Sequence, residues 1–159
     1  MTRIHHYTAT VRWTGNLGEG TVAYNAYSRN HDIDIGGKPV LHASADTMFR
    51  GDPSRYTPED MLVSSLSSCH MLWYLHLCAS NNIVIMDYVD HPVGVMEENA
   101  DGSGQFAKVT LCPRVTVAAP EMMERATSLH AEANKLCFIA RSVNFTVEHA
   151  AETVSPENA

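Results

Sequence analysis

The stretch TPEDMLVSSLSSCHMLWYLHLCAS, residues 57–80, decides the fold because it predicts a long helix with a cysteine near its centre. Thr57 is a good N-cap, Pro58 suits the first helical position, and Asp60 lies three residues after the cap. We predict that the helix runs to about Ser80, where a pair of asparagines ends it. Its residues are apolar on nearly every side, so the helix is expected to be buried on nearly every side.

A chain of 159 residues corresponds to one domain by size. We therefore predict a single domain over residues 1–159, with a polar tail at 151–159 that is expected to be frayed. A domain of this size can hardly surround a helix that is apolar all round. We infer that a second subunit covers part of the helix.

The rest of the chain is rich in strand patterns. Pro120 opens a second helix that extends to about Leu136. Alternating or β-branched runs predict strands at residues 7–13, from about Thr21, and at 39–45, 83–90, 93–98, 105–117 and 143–149. Strands and helices that follow one another in this order predict the α+β class.

Composition excludes several classes of function. The formal net charge of −7 argues against nucleic acid or an anionic membrane as the main partner. No apolar run is long enough to span a bilayer, and the N-terminal residues lack the apolar segment of a secretory signal. We expect a cytoplasmic protein, in which the four cysteines are free or catalytic thiols rather than structural disulfides.

Two cysteines in helical contexts, Cys69 and Cys137, could form a redox centre if the fold brings them together. A thiolate at Cys69 would attack a peroxide, and a second thiol would trap the sulfenic acid before further oxidation. Because Cys69 lies mid-helix, its thiolate would need a cation from elsewhere, and arginine suits that role best. The alternative for Cys69 is an inert core thiol, which is also the interpretation for Cys78 and Cys112. A zinc site is not favoured, because the chain has no C-x-x-C motif.

The helical face around Cys69 is mainly apolar, which suits an organic hydroperoxide better than hydrogen peroxide. His70 points about 100° away from Cys69 on a helix, so it is interpreted as a buried, hydrogen-bonded histidine rather than a base. The face that Cys69 shares consists of Leu62, Ser65, Leu66, Leu72, Trp73 and His76.

Residues 57–70 resemble the N-P-E-[EDQ]-L…[AS]-C helix of the OsmC/Ohr family, the osmotically inducible and organic-hydroperoxide-resistance proteins. Residues 130–140, HAEANKLCFIA, are similar to the A-x-x-x-C-[PF] segment of that family. The resemblance implies an OsmC-like fold in which β-sheets wrap around long central helices in an intertwined homodimer. It also implies a thiol-dependent peroxidase, with Cys69 as the peroxidatic cysteine, Cys137 as the resolving cysteine and Glu59 as the carboxylate that orients an arginine.

The position of that arginine varies in the family, so three residues are candidates. Arg29 is favoured and Arg50 comes second, whereas Arg55 could form a surface ion pair with Glu59 that contributes little. Glu59 and Cys69 are ten residues apart, about 15 Å along a continuous helix. Glu59 therefore either lies in a flexible entry segment that folds back, or comes from the other subunit.

The resemblance implies an organic hydroperoxide as substrate and an external dithiol of the lipoyl type as reductant, with no metal and no organic cofactor. The function would be defence against oxidative or osmotic stress. Two alternatives remain open at this point: a non-enzymatic protein that binds a small ligand on the same fold, and a redox sensor that uses the same disulfide.

Overall fold

The structure, a computed structural model, describes residues 2–156, and these residues form two α-helices and three small sheets. The predicted α+β class is confirmed. The chain divides into two compact units between Met61 and Leu62. The prediction of a single domain stays a prediction. Within the described residues, neither helix combines the length and the apolar character that a membrane span requires.

The first unit contains an antiparallel sheet of β1 (Thr10–Trp13), β2 (His31–Asp34) and β3 (Leu41–Ala43), in that order. Two of the predicted strands, 7–13 and 39–45, are confirmed in shorter form. The second predicted strand is confirmed, but its start at about Thr21 is wrong, because the chain forms turns there and β2 begins only at His31. The side chain of Asn16 holds the first of these turns by accepting hydrogen bonds from two glycine N–H groups, those of Gly18 and Gly20.

Helix α1 (Pro58–Ser80) has the predicted bounds. The Thr57 N–H donates to Asp60 Oδ2 at 2.9 Å, and the Asp60 N–H donates to Thr57 Oγ1 at 3.1 Å. These reciprocal bonds form a capping box that satisfies two backbone donors at the helix start. After the helix ends, Asn82 adopts a left-handed conformation with φ of 59°, which turns the chain away.

Within one chain, the burial of α1 is one-sided, and burial on nearly every side would require the second subunit. Every fourth residue forms a buried stripe: Leu66, His70, Tyr74 and Cys78. Another stripe is exposed: Ser64, Ser68, Leu72 and His76. Leu72 is 63% exposed, which is unusual for a leucine in the middle of a long helix. Coverage of this face by a second subunit stays a prediction.

The second unit contains two further sheets, ordered β4-β7-β9 and β5-β6-β8, in which the pairs β7·β9 and β6·β8 are parallel. Their strands are β4 (Ile85–Asp90), β5 (Val93–Glu98), β6 (Gly104–Leu111), β7 (Pro113–Val117), β8 (Thr146–His149) and β9 (Glu152–Val154).

The single strand predicted over 105–117 is divided at Cys112, and its two halves join different sheets. The Cys112 N–H leaves the ladder and donates to Asp90 Oδ1 at 2.7 Å. Pro113 has no N–H and cannot donate a hydrogen bond to a neighbouring strand. The ladder is therefore interrupted at this point, where the chain passes from one sheet to the other.

The prediction of a frayed tail is wrong for residues 152–154, which form β9 and pair with β7. Val154 is only 7% exposed and Ser155 is buried, so the end of the chain supplies a core side chain. Residues 157–159 lie outside the described residues.

Helix α2 (Met123–Leu136) follows a 3₁₀ turn at Pro120–Met122, close to the predicted helix over 120–136. Its buried side chains pack against α1 and β7 in a core that includes Tyr74, Cys78, Val115, Leu129 and Ala133. A second core lies at the other end of α1, with Leu66, Val109 and Leu111. The two helices that carry the candidate cysteines are therefore packed directly against each other.

Candidate active site

Cys69 and Cys137 lie next to each other in the second unit. Cys69 is partly exposed in the middle of α1, and Cys137 forms the C-cap of α2 and is only 1% exposed. Cys69 lies close enough to Cys137 to raise the pKa of the Cys137 thiol. Both cysteines are free thiols. The fold thus places two thiols within reach of each other at the junction of two helices.

The environment of Cys137 keeps it protonated. Burial, together with the nearby Cys69, raises the pKa of the Cys137 thiol to about 11. Backbone N–H groups of Ile139 and Ala140 oppose this rise, and the Ala140 N–H donates to Cys137 Sγ at 3.4 Å. At neutral pH Cys137 is therefore a thiol, which is a much weaker nucleophile than a thiolate.

An apolar surface flanks the two cysteines. Trp73 lies four residues after Cys69 on α1, and its ring meets that of Phe138 edge to face, with centroids 5.6 Å apart. A cavity of about 290 Å³ is lined by Leu72, Trp73 and His76. This surface can hold a hydrocarbon group beside the thiol of Cys69.

In the first unit, Arg29 is fixed by aromatic rings. Its guanidinium lies 4.2 Å from the ring centroids of both Tyr24 and Tyr27, and Nη1 donates to the Tyr27 carbonyl at 2.7 Å. Its other terminal nitrogen, Nη2, is buried and has no hydrogen-bond partner among residues 2–156. Arg29 therefore keeps unused N–H donors.

The other two candidate arginines differ from Arg29. Arg50 is exposed and caps a 3₁₀ turn (Thr47–Phe49) in a left-handed conformation. Arg55 contacts two carboxylates, with Nη1 3.4 Å from Asp32 Oδ1 and Nε 3.7 Å from Asp52 Oδ2. The sequence alternative of an Arg55–Glu59 pair is not formed.

Glu59 lies in the first turn of α1. The possibility that Glu59 belongs to an entry segment outside the helix is therefore wrong. Among residues 2–156, Glu59 makes no ion pair, so the expected carboxylate–arginine contact is not formed within the described part of one chain.

The sequence interpretation missed one partner near the site. His70 is buried and hydrogen-bonded, as predicted, but its partner is His130 on α2: His70 Nε2 and His130 Nδ1 are 3.0 Å apart. The only sequence signal for His130 was its place on the apolar stripe of the second helix. Cys78 is buried in the core as predicted, whereas Cys112 is partly exposed.

A family model described as OsmC-like protein matches residues 51–152, which include Cys69, Cys137 and the whole of both helices. This chain belongs to the OsmC-like family. An OsmC-like protein of unknown function from Vibrio cholerae shares 30% identity with it, with a TM-score of 0.82 over 93% of this chain and 99% of the other. The predicted family and fold are confirmed.

More distant OsmC-like structures share the fold. An organic hydroperoxide resistance protein from Elizabethkingia anophelis is 14% identical, with a TM-score of 0.71 over 98% of this chain and 99% of the other. An organic hydroperoxide resistance protein, OsmC, from Legionella pneumophila is also 14% identical, with a TM-score of 0.71 over 96% and 99% of the two chains. No functionally curated protein matches this OsmC-like chain significantly in sequence.

Proposed function

We propose that this OsmC-like protein is a thiol-dependent peroxidase that reduces organic hydroperoxides, acting as a cytoplasmic homodimer in peroxide-stress defence. The observation that carries the proposal is the proximity of Cys69 and Cys137, which lie on two helices that share a core and are close enough for Cys69 to raise the pKa of the Cys137 thiol. A peroxidase of this kind needs a second thiol that reacts faster with the sulfenic acid than a second peroxide does.

The reaction proceeds in three steps: oxidation of Cys69, formation of the disulfide and reduction of the disulfide. The Cys69 thiolate attacks the terminal oxygen of the hydroperoxide, the O–O bond breaks, and the alkoxide takes a proton and leaves as an alcohol. Sulfur has then lost two electrons, and Cys69 is a sulfenic acid. The Cys137 sulfur attacks it, water leaves, and the Cys69–Cys137 disulfide forms. An external dithiol of the lipoyl type reduces this disulfide by thiol–disulfide exchange and becomes a disulfide itself.

The unequal environments of the two sulfurs support these roles. Cys69 is partly exposed, so a peroxide reaches it first. Cys137 is almost fully buried and its pKa is raised, so it stays a thiol and is protected from direct oxidation. In the disulfide, the Cys69 sulfur is the more accessible of the two, so the reductant attacks there.

The apolar flank supports an organic rather than an inorganic peroxide. Leu72 and Phe138 are 63% and 66% exposed, so a bound hydrocarbon group would remove apolar surface from water. Each 50 Å² of such surface contributes about 1.3 kcal/mol to binding. Hydrogen peroxide has no group to occupy this surface.

Activation of Cys69 is assigned to Arg29, with Arg50 as the second candidate and Glu59 as the orienting carboxylate. The support for Arg29 is its unused Nη2, which can donate to a thiolate or to the peroxide oxygen that gains negative charge. Because Glu59 forms no ion pair within residues 2–156 of one chain, we propose that it acts in the homodimer, where the subunits complete the site together.

The proposal is tested by the consumption of cumene hydroperoxide with dihydrolipoamide as reductant. Cys69→Ser is expected to abolish turnover. Cys137→Ser is expected to turn over poorly and to accumulate sulfinic acid at position 69. Cys112→Ser is the matched control, because Cys112 is also partly exposed but lies outside the pair, and it should keep wild-type turnover. Unchanged turnover in Cys69→Ser would refute the proposal.

The apolar cavity also suits a second function, the binding of a small ligand without chemistry. A binding protein would take up an apolar probe at Trp73, seen as a change in tryptophan fluorescence, while peroxide left both thiols free. Consumption of peroxide that depends on Cys69 excludes this alternative.

A further inference from the structure

The approach of Cys69 to Cys137 depends on how α1 and α2 are aligned. Cys69 is in the middle of α1 and Cys137 caps α2, so a slide of one helix along the other by one residue moves the sulfurs apart by about 1.5 Å. An S–S bond is only about 2 Å long, and its dihedral angle is restricted. The alignment of the two helices therefore decides whether the disulfide forms.

Most contacts between the two helices are apolar and do not by themselves fix one alignment. Tyr74 and Cys78 of α1 pack with Leu129 and Ala133 of α2 in a shared core. Apolar contacts are non-directional, so neighbouring alignments can bury similar areas. A directional contact between the helices has to supply the difference.

The directional contact is the hydrogen bond between His70 Nε2 and His130 Nδ1, at 3.0 Å. Among residues 2–156, it is the only buried hydrogen bond between side chains that lie within the bounds of the two helices. A second bond, from Arg125 Nη2 of α2 to Asn81 Oδ1 just after α1 at 3.0 Å, lies at the exposed end of the helix pair. Both residues are 1% exposed, and their ring planes are within 6° of parallel, with centroids 5.3 Å apart. The ring of Tyr74 stacks on that of His130, with centroids 3.9 Å apart, which restricts the orientation of His130.

A slide of the helices would leave both bonded nitrogens without a partner. A buried donor or acceptor without a partner loses its hydrogen bond to water and gains none in the protein, so such alignments are disfavoured. His70 Nδ1 and His130 Nε2 are already without partners in the described structure, so the pair adds little net stability as it stands. Its larger effect is on the choice between alignments.

Both histidines are neutral at physiological pH. Their hydrogen bond needs one ring nitrogen that carries a proton and one that does not, and two neutral rings can supply both. Burial lowers the pKa of His70 to about 4 and that of His130 to about 3. His149 of β8 lowers both values further, and Asp90 of β4 opposes the shift at His70. Within the described residues, these histidines are not part of any group of three or more side chains arranged to hold a metal ion.

We propose that the His70–His130 hydrogen bond sets the alignment of α1 on α2 that holds Cys69 and Cys137 within bonding reach. Both histidines are then positioning residues for disulfide formation. The biological use of this arrangement rests on the proposed peroxidase function, but the alignment itself can be measured without any peroxide.

The test uses pairs of amide variants that differ by one methylene group. Glutamine places its amide near the position of Nε2, and asparagine places its amide near that of Nδ1. His70→Gln and His130→Asn should therefore keep the hydrogen bond, whereas His70→Asn and His130→Gln should lose it. All four variants replace a buried histidine by a neutral amide, so a general loss of packing should affect each pair alike.

The readout is the equilibrium between the reduced and the linked Cys69–Cys137 pair in dithiothreitol redox buffers, measured by peptide mapping under non-reducing conditions. We expect His70→Asn and His130→Gln to lower the equilibrium constant for linkage by about tenfold or more. His70→Gln and His130→Asn should stay within about threefold of the wild type. Leu129→Ala, which removes an apolar contact in the same core, should lower stability but leave linkage unchanged.

The decisive result is that linkage tolerates glutamine but not asparagine at position 70, and asparagine but not glutamine at position 130. If glutamine and asparagine behave alike at each position, or if Leu129→Ala impairs linkage as much as His70→Asn, the proposal is wrong. A wild type that shows this pattern but consumes no hydroperoxide would overturn the proposed function alone. Peroxide turnover without the pattern would overturn only the role of the histidines.

Discussion

Acidification from pH 7 to pH 5 should destabilise this protein through the buried pair His70 and His130. Each is 1% exposed, and burial holds the pKa of His70 at about 4 and that of His130 at about 3. An unfolded histidine titrates at about 6.5. Because the folded-state values are lower, the stabilisation is complete above pH 6.5 and is lost as the pH falls towards the folded-state values, since only the unfolded chain takes up protons in that window.

The magnitude follows from the width of the window. Between pH 6.5 and pH 5, each histidine contributes about 1.5 pH units at about 1.4 kcal/mol per unit, or about 2 kcal/mol. Because both folded-state pKa values, about 4 and about 3, lie below 5, the pair contributes a loss of about 4 kcal/mol. The groups that face the pair are His149 of β8, Asp90 of β4, and Tyr74 on α1 itself.

The assay is urea unfolding followed by circular dichroism at pH 7 and pH 5, at one protein concentration because dimer formation would shift the midpoint. The reference is the double variant His70→Gln/His130→Asn, which keeps the hydrogen bond but cannot titrate at these positions. The wild type should lose about 4 kcal/mol more than this variant between the two pH values. Equal losses in the two proteins would refute the account of a neutral, buried pair.

Three further perturbations follow from individual contacts. Thr57→Ala removes the N-cap of α1 and should lower the free energy of unfolding by about 1 kcal/mol in urea titrations, whereas Thr57→Ser should be nearly neutral. Gly94→Ala would bring a methyl group within 2.7 Å of the Phe106 ring and should cost about 1–3 kcal/mol, and wild-type stability would contradict the packing around β5. Cys137→Ser treated with excess cumene hydroperoxide should gain two oxygen atoms at Cys69 by mass spectrometry, and an unmodified Cys69 would contradict its role as the peroxide-reactive thiol.

Local sequence signals predicted the helical framework well. The cap at Thr57 and the long apolar run that follows define α1 within a residue, and both features act over a few neighbouring positions. The same is true of β5, whose predicted bounds, 93–98, are those of the structure. The family could also be predicted, because the motif around Cys69 and the segment around Cys137 lie in continuous stretches of sequence.

Errors arose where distant parts of the chain determine the outcome. Residues 21–30 carry apolar side chains in a strand-like pattern, but their tyrosines pack around Arg29 and the chain turns. The polar tail becomes β9 because the edge of β7 offers hydrogen bonds and the core accepts Val154. The local sequence of the tail shows neither the free edge of β7 nor the space in the core that Val154 fills.

Contacts between distant parts of the chain also limited the prediction of the candidate site. The sequence identified Cys69 and Cys137 as residues that would matter if they met, but their proximity required the packing of α1 on α2. The partner of His70 lies 60 positions away, so the local pattern that places His130 on the apolar stripe of its helix could not identify it as that partner. The assignment of the arginine also remained open in the sequence, and the unused Nη2 of Arg29 is a property of its tyrosine environment.

The most direct test of the central claim is peptide mapping, under non-reducing conditions, of the fully reduced protein after one equivalent of cumene hydroperoxide. The account predicts one mole of cumyl alcohol for each mole of chain, and linked peptides that join Cys69 to Cys137 while Cys78 and Cys112 remain free. Recovery of four free thiols with the hydroperoxide intact, or a linkage that excludes Cys69, would contradict it.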